Sequence, residues 1–168
     1  MKKQAVADHV SEILRAKSAW LHIKHSRKMV LLTSPLIYFG VIFFWMLDLF
    51  VTVYQAVCFP SNGIPKVRRS DYLIYDRARL PYLNVIEKVG CFYCSYANGL
   101  LAYVTEITAR TEQHFCPIKH HVHVTHPHSR YSHFFPYGDA RAYLTSVNDV
   151  RSHFVDIKPA PPRSTPKA

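Results

Sequence analysis

The sequence predicts a mainly α membrane protein with one firm transmembrane helix, a long second helix on or in the membrane, and a small irregular C-terminal region. Three observations carry this. Residues 30–58 are almost continuously apolar. Residues 84–116 keep helical spacing until Pro117 stops it. Beyond Pro117 the chain becomes rich in His, Tyr, Pro and Arg, with only short apolar clusters.

The apolar run VLLTSPLIYFGVIFFWMLDLFVTVYQAVC, Val30 to Cys58, contains one charged residue, Asp48. As a helix it is about 40 Å long, against a hydrocarbon core of about 30 Å. Hydrophobic residues make up 49 % of the 168 residues, yet the mean hydropathy is only -0.05, so the apolar residues are concentrated in one region. A chain of this length holds one membrane segment and one small domain. The basic leader, residues 1–29, is too long for a signal peptide, and no small-x-small cleavage pattern follows the run. The run therefore reads as a retained anchor.

The leader carries Lys2, Lys3, Arg15, Lys17, Lys24, Arg27 and Lys28 against Asp8 and Glu12. The positive-inside rule then places the N-terminus in the cytoplasm, while Lys66, Arg68, Arg69, Arg77 and Arg79 beyond the run mean that this flank is either translocated against the bias or returned to the cytoplasmic side. Within the leader, Val6, Val10, Ile13, Leu14, Trp20 and Leu21 fall at helical spacing. That suits an amphipathic helix in the membrane interface or a solvated helix packed on the protein. The net charge of +10 implies a lipid bilayer with anionic headgroups as partner, at about 1 kcal/mol per near-surface Lys or Arg. Nucleic acid is not expected, because no basic run outside the apolar segment is interleaved with stacking aromatics.

Pro60-Ser61-Asn62-Gly63-Ile64-Pro65 is a turn cluster, and residues 59–80 form a basic linker with aromatics. Pro81 suits a first helical position, so residues 81–116 are read as a long helix, or as a helical hairpin broken at Asn98-Gly99. Val89 to Thr105 is about 17 residues, the lower limit for a span. A membrane hairpin and a helix on the membrane surface both remain open. Residues 117–157 form the His-rich C-terminal region, with one short helix near 139–152. Residues 158–168, with four prolines, read as a disordered tail.

At 100° per residue, Asn84, Glu87, Cys91, Cys94, Asn98, Thr105, Glu112 and Cys116 share a wedge of about 80° on the second helix. If buried, that polar stripe needs a partner. Asp48 is the candidate, since an Asp at membrane depth costs about 2.5–3.5 kcal/mol and should face protein or water. On this reading Asp48, Asn84, Glu87, Asn98, Glu106, Arg110 and Glu112 make helix–helix or partner contacts, within a homo-oligomer or a larger membrane complex. Glu106 and Arg110 also form an ordinary helix ion pair.

The cysteines give a sharper expectation. Cys91 and Cys94 form a C-x-x-C, and Cys116 with His120 adds C-x3-H. Together they are a candidate metal set for zinc or an iron–sulfur cluster, or a redox centre. On one straight helix, residues 94 and 116 lie about 33 Å apart, so an intrachain metal set requires the helix to fold back. A set shared between antiparallel subunits does not. The tract His120, His121, His123, His126, His128 and His133 reads chiefly as solvated surface. No H-E-x-x-H, P-loop, G-x-G-x-x-G or G-x-S-x-G is present.

The run Tyr93-Cys94-Ser95-Tyr96-Ala97-Asn98-Gly99 is followed by Glu106-Ile107, Arg110-Thr111-Glu112-Gln113, Cys116-Pro117-Ile118-Lys119-His120 and Phe135-x-Tyr137-Gly138-Asp139-Ala140. This pattern resembles an uncharacterised family of small bacterial membrane proteins, over residues 60–145. The resemblance implies a bacterial source, hence a bacterial inner membrane for the apolar run, and a functional centre in the second helix, and it brings no activity with it. Two expectations stand. One is a membrane-anchored protein with a Cys/His centre for metal binding or redox work. The other is a non-catalytic accessory or assembly subunit of a larger membrane complex.

Overall fold

The computed structural model describes residues 28–80, 82–155 and 157. The expected N-terminal amphipathic helix, Pro81 as a helix start, and the Pro-rich tail lie outside the described residues. Among the described residues there are three α-helices and no strand: α1, Lys28–Ser61; α2, Val85–Phe115; and α3, Ala140–Ser152. The chain divides into two compact units. The first comprises residues 1–49 and 72–101, the second residues 50–71 and 102–168.

In the first unit, α1 and α2 run in the same direction. The Tyr93 ring packs on Tyr38 and Phe44, with centroids 5.5 and 6.2 Å away, and its hydroxyl donates to the Ile37 carbonyl at 2.9 Å. Further along both helices, the Tyr96 hydroxyl donates to Asp48 Oδ2 at 2.9 Å. The helices are parallel over this stretch, not antiparallel as two successive spans of a hairpin would be. The connector instead returns along α2 in the opposite sense. Tyr72 and Leu73 lie on Gly99, and Tyr75 stacks on Phe92 at 4.8 Å.

This return explains Gly99. A Cβ there would stand 2.7 Å from the Tyr72 carbonyl oxygen and 3.2 Å from Leu73 Cα, so only glycine lets connector and helix approach so closely. The expected helix exit at Asn98-Gly99 is not realised, and α2 runs unbroken through it. The close packing of Tyr72 and Leu73 on Gly99, with Ala97 and Leu100 buried beside it, outweighs the roughly 1 kcal/mol helix penalty of a glycine. The start of α2 also differs from the expected residue 81. Asn84 is its N-cap: Asn84 Oδ1 accepts from the Glu87 amide at 2.9 Å, and the Asn84 amide donates to Glu87 Oε2 at 3.0 Å. That reciprocal pair is a capping box.

In the second unit, the last turns of α1 end at Ser61, and Gly63 takes φ +67° in the following turn. Phe59, Ile64, Val67, Tyr103, Ile107 and Phe134 form its apolar core. The chain after α2 turns back through an isolated bridge of Ile118 with Phe135, closed by Phe135 N to the Pro117 carbonyl at 2.9 Å. The short helix expected near 139–152 is α3, capped by Asp139 Oδ1 accepting from the Ala142 amide.

Candidate functional site

The residues that α2 buries are not those of the predicted polar stripe. Tyr96, Leu100, Tyr103, Ile107, Arg110 and Gln113 face inward, whereas Cys94, Asn98, Thr105 and Cys116 are exposed. The other members of the stripe, Asn84, Glu87, Cys91 and Glu112, are half-buried, so none of the stripe is fully buried within the chain. Asn98 turns its amide back to the Cys94 carbonyl at 2.9 Å. Asn84 and Glu87 form the cap described above. Asp48 does pair with α2, through Tyr96, which lies off the stripe.

In the second unit, polar side chains on α2 fasten the irregular segments. Arg110 is 5 % exposed. Its Nε donates to Glu106 Oε1 at 2.8 Å, and its Nη1 donates to the Pro65 carbonyl at 2.8 Å. The expected Glu106–Arg110 pair is therefore present, and it also anchors the start of the connector. The second Glu106 oxygen accepts from Ser129 Oγ at 3.3 Å, and Glu112 Oε2 lies 2.9 Å from His128 Nε2. Tyr54 and Thr111 hydroxyls are 3.1 Å apart. Thr111 already donates to the Ile107 carbonyl, so Tyr54 is the donor of the pair.

Gln113 is fully buried. Its Nε2 donates to the Val150 and His153 carbonyls, each at 2.8 Å, and its Oε1 accepts from Arg130 Nε. Arg130, 4 % exposed, donates from Nη2 to the His153 carbonyl at 3.2 Å and lies 5.1 Å from the Phe154 ring centroid. These two side chains satisfy carbonyls at the C-terminus of α3, where a cation is also favoured by the helix dipole. Gln55 does similar work on the connector. Its Nε2 donates to the Tyr103 hydroxyl at 2.8 Å and to the Val67 carbonyl at 3.3 Å, while its Oε1 accepts from the Val67 amide. A glutamine carries both donor and acceptor, so it pairs with an extended backbone residue as another strand would.

Sequence reasoning missed Gln113 and Arg130, whereas Gln55 shares with Asp48 the polar face of the first helix expected to meet the second, and it does so through Tyr103. Gln113 left a signal, being a polar residue at a core position of an otherwise apolar helix face. Arg130, inside a His-rich loop, left none.

The four candidate metal ligands are not gathered. Cys91 and Cys94 belong to the first unit, and Cys116 and His120 to the second. All four cysteines are free thiols. The fold-back that an intrachain set required is absent from α2. Among the described residues no group of three or more His, Cys, Asp or Glu side chains is arranged to hold a metal ion. Of the His tract, His120, His121, His123, His126 and His133 are exposed, and His128 is half-buried against Glu112.

The class defined by fold and surface is a mainly helical protein in which, among the described residues, one helix, Leu32–Ser61, is long and apolar enough to cross a membrane. Comparison with protein-family models, curated proteins and solved structures gives no match to this chain.

Proposed function

We propose that this chain is a membrane-anchored, non-catalytic accessory subunit, with α1 facing lipid and the polar side of α2 and its connector facing a protein partner. The observation that carries this reading is the two-faced character of the first unit. On α1, Leu32, Leu36, Phe39, Phe43, Trp45 and Met46 are exposed. Only 11 % of the apolar window is buried, whereas the core helix of a water-soluble protein is mostly buried. Uncovered apolar surface on this scale marks a membrane or protein contact.

The opposite side differs in kind. Tyr75 stacks on Phe92, next in sequence to Tyr93, which packs on Tyr38 and Phe44. Asp76 and Arg77 follow Tyr75 and are exposed. They therefore lie beside the middle of the apolar run of α1. Each charge would cost about 2.5–3.5 kcal/mol against lipid at the bilayer centre, so this side needs protein or water. The parallel course of α2 adds to the argument. Were α2 a second span, its charged, irregular connector would have to cross the hydrocarbon too, where lipid-exposed irregular backbone is not tolerated. The basic leader supports a cytoplasmic N-terminus.

The test is fractionation followed by native-mass measurement. The protein should stay with membranes through alkaline and high-salt washes, leave only with detergent, and run in mild detergent as an assembly larger than one chain. Asn98→Leu and Arg77→Leu should reduce that assembly without releasing the chain from membranes. A monomer soluble without detergent overturns the anchor, and a monomer in mild detergent overturns the docking face.

A further inference from the structure

The docking reading leaves two thiols unexplained. Cys91 and Cys94 stand three residues apart on α2, and both are free. Helix geometry brings side chains at this spacing onto one face, with Cβ atoms about 5–6 Å apart. A disulfide needs Cβ atoms about 3.5–4.5 Å apart. The pair is thus close enough to join after a small local adjustment, and too far apart to join without strain. Strained pairs of this kind are readily reduced again, so the dithiol gives up its electrons only to an excess of external disulfide.

The two thiols also differ in access. Cys94 is exposed and Cys91 half-buried. Cys94 opens on a shallow groove that it shares with Arg77, Asp76, Ser95 and Asn98. An exposed attacking thiol with a sheltered resolving thiol one turn away is the arrangement that thiol–disulfide exchange requires.

We propose that Cys94 and Cys91 form a dithiol–disulfide exchange pair whose substrate is an external disulfide reaching the groove. Cys94, as thiolate, attacks one sulfur of the incoming disulfide. A bond forms between Cys94 Sγ and that sulfur, the incoming S–S bond breaks, and the first substrate thiolate leaves. Cys91, giving its proton to water, then attacks Cys94 Sγ. The mixed disulfide breaks and the second substrate thiolate leaves. Two electrons pass from the protein dithiol to the substrate, which departs as two thiols once protonated from water. The pair ends as a Cys91–Cys94 disulfide. Neither Cys116 nor His120 takes part, and no metal is involved. The groove lies on the face that docking would cover, so the exchange belongs to the chain free of its partner, and a small disulfide reports it on the isolated protein.

The experiment uses the full chain in mild detergent with Cys58→Ser and Cys116→Ser in place, and excess oxidised glutathione as the probe. Intact mass should show loss of two hydrogens and no retained glutathione. Cys91→Ser should accumulate one glutathione on Cys94, since nothing resolves the mixed disulfide. Cys94→Ser should be slow to react at Cys91. Cys91→Ala and Cys94→Ala repeat both readings should the serines perturb the helix, with helix content checked by circular dichroism. Stable glutathione on Cys94 in the chain that keeps both thiols overturns the proposal, as does equal reactivity of Cys91 and Cys94 in the single variants. Loss of membrane attachment or assembly in the earlier test would leave these readings unaffected.

Discussion

Gln113 makes three hydrogen bonds with one buried amide, and no other side chain of its length and charge does the same. Glutamate would lack the two donors, and leucine would lack everything but the volume. Gln113→Ala therefore takes from buried Arg130 Nε the acceptor that Gln113 supplies, and from the Val150 and His153 carbonyls one of the two donors each receives. Buried unsatisfied groups cost about 1–3 kcal/mol each, so the variant should lose several-fold or more in unfolding equilibrium. Hydrogen exchange should show the loss first in α3. Equal protection of α3 in both proteins would show that Gln113 merely fills space. The Arg110–Glu106 pair is more demanding. Arg110→Met strands a largely buried carboxylate, and removing one partner of such a pair costs about 3–5 kcal/mol. Glu106→Gln keeps a neutral acceptor for Arg110 and should cost less. Denaturant unfolding in detergent would rank the two, and the reverse order would be inconsistent with burial as the cause.

Helix boundaries and breaks depend on the same balance one level up. Asn98-Gly99 has the local chemistry of a helix exit, and α2 passes through it because the connector lies on Gly99. Gly99→Ala should raise helix propensity yet destabilise the first unit, since its Cβ meets backbone that cannot rotate aside. Overpacking of this sort costs about 1–3 kcal/mol. A lower unfolding temperature, with unchanged or higher helix content, is expected, and a rise would show that the connector yields freely. At the start of α2, Asn84→Ala should cost about 0.5–2 kcal/mol through the lost cap. Exchange should quicken in the first turn of α2. The sequence contained this cap as Asn84-x-x-Glu87, but the stripe placed both residues among helix–helix contacts. Local capping uses the same residue types and takes precedence at a helix end.

For the chain as a whole, the cysteines separate the remaining readings. A metal centre shared by Cys91, Cys94, Cys116 and His120 predicts stoichiometric zinc or iron in protein purified without oxygen. An exchange pair confined to Cys91 and Cys94 predicts none. Elemental analysis decides, and one metal per chain that disappears with Cys94→Ser would restore the Cys/His centre.

The long apolar segment, the second helix, its stop at Pro117 and the short helix after Asp139 were all legible in the sequence, because each rests on periodicity, a proline or a cap within a few residues. The inward face of α2, the parallel course of α1 and α2, and the pairing of Asp48 with Tyr96 were not. They depend on the connector turning back along α2, and on residues 48 or more positions apart in sequence, such as Gln55 with Tyr103. Local pattern fixes which stretches coil and which are apolar, since those energies arise between near neighbours. Which polar face is buried, and which thiols meet, is decided by packing between distant segments, and only the tertiary structure contains that.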